Sequence, residues 1–266
     1  GDPVVPEGAR AFTDRLLDAL ATLERDSSGA LAFVRTAAEL DAARERGAVG
    51  ALASIEGGEC LEGDLGLLKH FFDRGVRMLG LTYNRRNELG RGVRAEGSDG
   101  LSAFGREAVR ECGRLGVIVD VSHLSDEGLA DALEISESPL VASHSNCRAL
   151  CGHVRNLSDA QILDIAKTGG LVAVNAVPYF VDADGAQATA ERLCDHIERI
   201  ADLAGIAYVG LGSDFDGWDP SLGLPLRSAA DWPALAGALR SRGFTEEDLA
   251  AVFYGNWHRV FSQATA

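Results

Sequence analysis

Phe12, Leu16, Leu17, Leu20 and Leu23 recur at helical spacing with Asp14, Arg15, Asp18 and Glu24 between them, which predicts an amphipathic first helix. A second helix is expected over residues 36–46, closed by Gly47. Beyond it the pattern changes. Six short, almost wholly apolar runs follow, at residues 48–55, 76–82, 117–121, 140–142, 171–174 and 208–211. Strands that are apolar on both faces belong to a parallel sheet covered by helices. Amphipathic helices are expected between them over 65–74, 102–115, 126–135, 158–168 and 189–204, with Gly75, Gly116, Gly169 and Gly205 as their C-terminal caps. This alternation predicts an α/β fold, either a (β/α)8 barrel or an open doubly wound sheet. No GxGxxG or GxxxxGK[ST] follows any strand, so a nucleotide-binding version has little support. With no repeat or linker in view, residues 1–266 read as a single domain.

Composition narrows the partners. The chain has 25 Lys and Arg against 40 Asp and Glu, a net charge of −15, so no nucleic-acid partner and no anionic membrane surface is expected. No apolar run approaches a membrane span, and no signal peptide opens the chain. Five cysteines, an odd number, fit reduced thiols and a cytoplasmic location. The chain opens on Gly1 and its only methionine is Met78, so an N-terminus that is processed, engineered or incomplete is expected.

Candidate chemistry gathers where the apolar runs end. Glu56 follows the first run, Tyr83 and Asn84 the second, His123 the third and His144 the fourth; Asn175 ends the fifth and Asp214 follows the sixth. In a parallel barrel these positions converge on the C-terminal mouth, where active sites of that architecture lie. Imidazole and carboxylate suit zinc or a similar divalent ion. Each residue taken alone could simply satisfy loop backbone; Glu, His, His and Asp at four separate strand ends favour a metal site.

The segments Ser54-Ile-Glu-Gly-Gly58, Leu79-Gly-Leu-Thr-Tyr-Asn84, Asp120-Val-Ser-His-Leu124, Ala142-Ser-His-Ser-Asn146, Arg155-Asn156 and Gly212-Ser-Asp-Phe-Asp-Gly217 resemble, in order, motifs of the membrane (renal) dipeptidase family, peptidase family M19 of the metal-dependent hydrolases. The resemblance implies a (β/α)8 TIM-barrel fold, two zinc ions and cleavage of dipeptides by metal-activated hydroxide. It implies Glu56 as the carboxylate bridging the two ions and His123 and His144 as ligands of one of them. Asp214 is then the proton shuttle, and Arg155, with its guanidinium fork, contacts the substrate. Two departures stand out. The family's first strand ends in a His-x-Asp pair, and none of the six histidines here begins one. Six strands are legible where a barrel needs eight, so the first two strands are expected to be missing, leaving ligands for one zinc in this chain. At Tyr83, family members can carry a histidine that polarises the scissile carbonyl; a phenol can donate the same hydrogen bond.

Other residues are set aside. His144, Cys147, Cys151 and His153 have the spacing of a zinc knuckle, but buried thiols are the preferred reading. His70, His196 and His258 are expected to be surface or packing residues, Cys60 lacks a base to make it a nucleophile, and the acidic residues 246–248 open a final helix. The expectation is therefore a cytoplasmic, bacterial-style zinc dipeptidase with a dipeptide substrate, and a homodimer as its candidate assembly. Its rivals are a related amide or lactam hydrolase and a catalytically silent remnant serving as an interaction domain.

Overall fold

Helices here begin where a short polar side chain can bond the free N–H groups of the first turn. Thr36, Asp64, Ser102, Ser125, Ser158, Thr189 and Thr245 each do so. The computed structural model describes residues 8–185, 187–218 and 226–265, so the opening at Gly1 lies outside them. The chain divides into two compact units, Gly1–Pro139 with Phe261–Ala266, and Leu140–Val260.

In the first unit, helix α1 (Ala9–Asp26) precedes strand β1 (Leu31–Phe33), α2 (Ala37–Glu45), β2 (Val49–Ala51) and β3 (Ala53–Glu56). Then come a short 3-10 turn at Gly58–Leu61, α3 (Leu65–Asp73), β4 (Val76–Gly80), α4 (Ala103–Leu115), β5 (Ile118–Asp120) and α5 (Asp126–Ile135). Strands β3, β4 and β5 pair in parallel, with Ile55 against Leu79 and Leu79 against Val119. Every residue of β4 and β5 is buried, which is what the apolar runs require. Helix α1 is tied down by His70 Nε2 on Asp14 at 2.8 Å and by Arg74 on Asp14 and Asp18.

The run at 48–55 is not one strand. It splits into β2, which pairs with β1 in a separate two-stranded parallel sheet, and β3, which starts the three-stranded set. Strand β1 was not expected, although residues 30–34 are apolar. It is three residues long, and its partner β2 leaves Val49 two-thirds exposed, so neither strand carries the doubly buried signature.

In the second unit, β6 (Leu140–Ala142), α6 (Asp159–Lys167), β7 (Leu171–Val174), a single helical turn α7 (Pro178–Val181), α8 (Ala190–Ala204) and β8 (Val209–Leu211) follow in order. Strands β6, β7 and β8 pair in parallel, with Val172 opposite both Ala142 and Val209. Helices α9 (Trp232–Ser241) and α10 (Glu246–Ala250) lead through a wide π turn at Ala251–Gly255 into α11 (Asn256–Ala264). The acidic start of α10 is a capping box between Thr245 and Asp248. Asn256 donates to the carbonyls of Ile206 and Val209 at 2.7 Å, and Trp257 to Leu211 at 3.1 Å, which fixes α11 on the end of β8. Gly75, Gly116, Gly169 and Gly205 all have positive φ, as their capping role demands.

Candidate active site

In the first unit, β3 ends on Glu56, and the chain turns at Gly57 with φ 90° while the Gly57 and Gly58 N–H groups bond the carbonyls of Gly80 and Leu81. These bonds hold the end of β3 to the end of β4, so Glu56 is presented beside the segment carrying Tyr83 and Asn84. His123 lies just past β5, after a turn in which Asp120 Oδ1 accepts from Ser122 N at 2.9 Å. Its backbone is left-handed, φ 67°, which for a residue other than glycine costs on the order of 1 kcal/mol. Val93 N, at 2.7 Å, and Thr82 Oγ1 donate to its carbonyl and hold it there. His123 Nδ1 lies 3.2 Å from Asn84 Oδ1, its ring rests 4.5 Å from that of Tyr83, and its Nε2 lies 3.2 Å from Glu56 Oε1. His123 is buried, whereas the Glu56 side chain is half exposed.

In the second unit, His144 and Arg155 are buried, the latter only 3% exposed. His144 Nδ1 lies 2.7 Å from Ser143 Oγ. Arg155 Nη2 donates to the His144 carbonyl at 3.5 Å, and its guanidinium sits 5.6 Å from the centre of the Phe180 ring. Asn175 is fully buried; its Oδ1 accepts from Val177 N at 2.6 Å, so its Nδ2 must point the other way, to Asp214 Oδ2 at 2.9 Å and the His144 carbonyl at 3.4 Å. Asp214 has φ 64°, a second left-handed site residue. A Cβ on Gly217 would fall 2.3 Å from Asp214 Oδ1, and one on Gly212 would fall 1.8 Å from the Ser143 carbonyl, so both positions need glycine.

Asn146 and Asn156, within the sequence motifs, are fully buried amides. Asn146 donates to the carbonyls of Asn175 and Phe180, and Asn156 to those of Cys151 and Phe180. Together they fasten the loops after β6 and β7. Their sequence neighbours are largely polar, so no local pattern marks them; once buried, each amide must satisfy several partners to be tolerated.

The knuckle spacing is not used as one. Cys147 N donates to His196 Nδ1, and the Cys151 thiol donates to the Tyr179 carbonyl. Burial pushes Cys147 up to about 12 and raises Cys151, so neither is a ready thiolate ligand. Cys60 is likewise pushed up by burial to about 12. His196 proves a wholly buried packing residue, its Nε2–H donating to the Val181 carbonyl at 2.9 Å. Burial lowers its pKa below the usual 6.5. The folded chain thus refuses a proton that the unfolded chain accepts, so this contribution to stability is complete above about pH 6.5 and is lost as pH falls below it. Melting temperatures measured from pH 7.5 to 5 are expected to fall more steeply for the parent than for His196→Gln; parallel slopes would refute the assignment.

The family model "Membrane dipeptidase (Peptidase family M19)" matches residues 6–266. The chain belongs to peptidase family M19. An uncharacterised Klebsiella pneumoniae protein in the pqqA 5′ region is 34% identical over 98% of this chain and 96% of its own length. Dipeptidase tcpJ of Claviceps purpurea is 33% identical over 82% of this chain, which spans about half (51%) of that protein. A Rhodobacter sphaeroides metallopeptidase, solved with a phosphinate mimic of the dipeptide L-Ala-D-Ala, superposes with a TM-score of 0.91 at 31% identity, covering 98% of this chain and 76% of the other. The M19 chain is thus an α/β protein of the metallopeptidase fold and a hydrolase of the dipeptidase class. Among the described residues, no helix is long and apolar enough to cross a membrane.

Proposed function

We propose that this chain is a zinc-dependent dipeptidase in which Glu56, His123 and His144 hold one ion, Asp214 moves the proton, and Arg155 and Tyr83 engage the dipeptide. The observation that carries the reading is the Glu56–His123 pair, a carboxylate and an imidazole nitrogen facing each other at 3.2 Å in the M19 motif positions. An imidazole N–H or a bound cation can join such a pair, and a carboxylate facing an imidazole is the beginning of a zinc donor set. By residue type, Glu56, His123 and His144 offer two imidazoles and one carboxylate, a donor set that suits zinc. In the tautomer a metal requires, Nδ1–H of His123 donates to Asn84 and that of His144 to Ser143, which leaves each Nε2 lone pair for the ion.

Once bound, such an ion polarises a carbonyl and acidifies water. The chain supplies the rest. Asp214 is fixed by Asn175 at Oδ2 and accommodated at Oδ1 by the missing Cβ of Gly217, so its carboxylate is oriented before substrate arrives. It takes a proton from the attacking water and returns it to the amine that leaves when the peptide C–N bond breaks. Arg155, buried and braced against Phe180 and the His144 carbonyl, offers its guanidinium to the substrate carboxylate or a developing oxyanion. Tyr83, held against the His123 ring, offers its hydroxyl as a donor to the scissile carbonyl.

Arg155→Lys is expected to raise KM for dipeptides by roughly tenfold or more, since a point charge does not replace a bidentate fork. Steady-state kinetics on a dipeptide panel check it, and unchanged KM and kcat across the panel would remove Arg155 from the substrate site. Elemental analysis of the zinc-loaded chain tests the centre: one zinc per chain is expected, and a chain that takes up none refutes it.

A further inference from the structure

Strands β4 and β5 have a second end. Opposite Gly80 and Asp120, where they begin, the first unit holds a cavity of about 430 Å³. Its walls come from the start of α2, the end of α4, the starts of β4 and β5, and the last turn of α11. On a chain of net charge −15, this cavity is lined by Arg35, Arg77 and Arg114 and, among the described residues, by no aspartate or glutamate.

The arginines differ in their partners. Arg114 is neutralised, its guanidinium forked onto Glu111 at 2.6 and 2.7 Å. Arg77 is not. It is nine-tenths buried, its Nε donates to the Arg35 carbonyl at 3.0 Å, and its Nη1 donates to the carbonyls of Phe72 and Val76 at 2.8 and 2.9 Å. The Phe72 ring centre lies 3.9 Å from its guanidinium carbon. Among the described residues, Nη2 bonds to nothing, and neither Arg77 nor Arg35 has a carboxylate within 4.0 Å. The nearby acids are engaged elsewhere: Glu39 accepts from the Arg35 backbone N–H at 2.6 Å, and Asp73 is paired with Lys69 at 2.6 Å. A buried guanidinium facing only carbonyls and an aromatic ring is costly unless an anion completes it.

We propose that this cavity binds a small molecule through an oxyanion group, a phosphate or a carboxylate, with Arg35 and Arg77 as its cationic walls. Planar guanidinium forks match such groups, the hydroxyls of Thr36 and Ser138 line the same space, and the volume is that of a metabolite site rather than of a halide. The site lies at the strand ends opposite those that carry Glu56 and His123. It does not depend on the proposed peptidase chemistry.

The test is calorimetric titration of the zinc-loaded chain with inorganic phosphate and, separately, with succinate, at ionic strength held constant with chloride. One saturable site per chain is expected with at least one of them, and which one responds identifies the oxyanion. Arg77→Met and the exposed Arg35→Met are each expected to weaken binding by roughly tenfold or more, the worth of a charge-assisted hydrogen bond. Arg35→Met keeps the test valid should Arg77→Met fail to fold. No saturable heat with either anion overturns the proposal. So does a heat that survives both substitutions, since that would belong to the zinc site or another surface.

Discussion

Asp214→Asn is expected to lower kcat on a dipeptide by roughly 10²- to 10⁴-fold, the usual share of a general acid–base group, while metal content stays unchanged. The substitution is close to isosteric, and asparagine tolerates the left-handed φ of 64° at this position better than almost any other residue. The amide oxygen can still accept from Asn175 Nδ2, so the loop after β8 keeps its anchor. What the variant loses is the ability to take a proton. Paired kinetics and elemental analysis separate the roles: loss of zinc together with activity would make Asp214 a ligand and end the shuttle assignment.

Removal of a ligand is expected to have the other large effect. Glu56→Gln and His144→Ala are each expected to weaken zinc affinity by more than about tenfold and to bring turnover to background, because three protein donors are what an open zinc site needs. Glu56 is the cleaner of the two. Its side chain is half exposed, so neutralising it leaves no buried cavity and no unsatisfied core group. His123→Ala would be harder to interpret, since it also removes the ring that Tyr83 rests on. Competition against a chromogenic chelator measures the affinities. Full zinc retention in both variants would refute the ligand set.

Most of the frame of this molecule is written in its apolar runs. Residues 140–142 and 171–174 are β6 and β7 to the residue, and 126–135 is α5, because doubly buried strands and capped amphipathic helices leave unambiguous periodicities. β1 escaped and β2 merged with β3 because strands of three residues, most of them partly exposed, carry no period. The candidate site is visible as residue types at strand ends, and the contact of Glu56 with His123 is compatible with that reading. What the chain does not announce is how those side chains are held. The left-handed backbone at His123 and Asp214 and the amide relay through Asn146, Asn156 and Asn175 depend on carbonyls distant in sequence. No local pattern encodes them.

All five cysteines are buried and free, with Cys60 and Cys112 in the first unit and Cys147, Cys151 and Cys194 in the second. Burial raises the pKa of every one of these thiols. An alkylating reagent therefore reaches them only when the surrounding structure opens, and its rate at each position counts those openings. The chain thus carries five native clocks, two in one unit and three in the other. Mass spectrometry can read them side by side to learn which unit breathes first, and a cysteine added at the surface would remain the one fast-reacting handle for a spectroscopic probe.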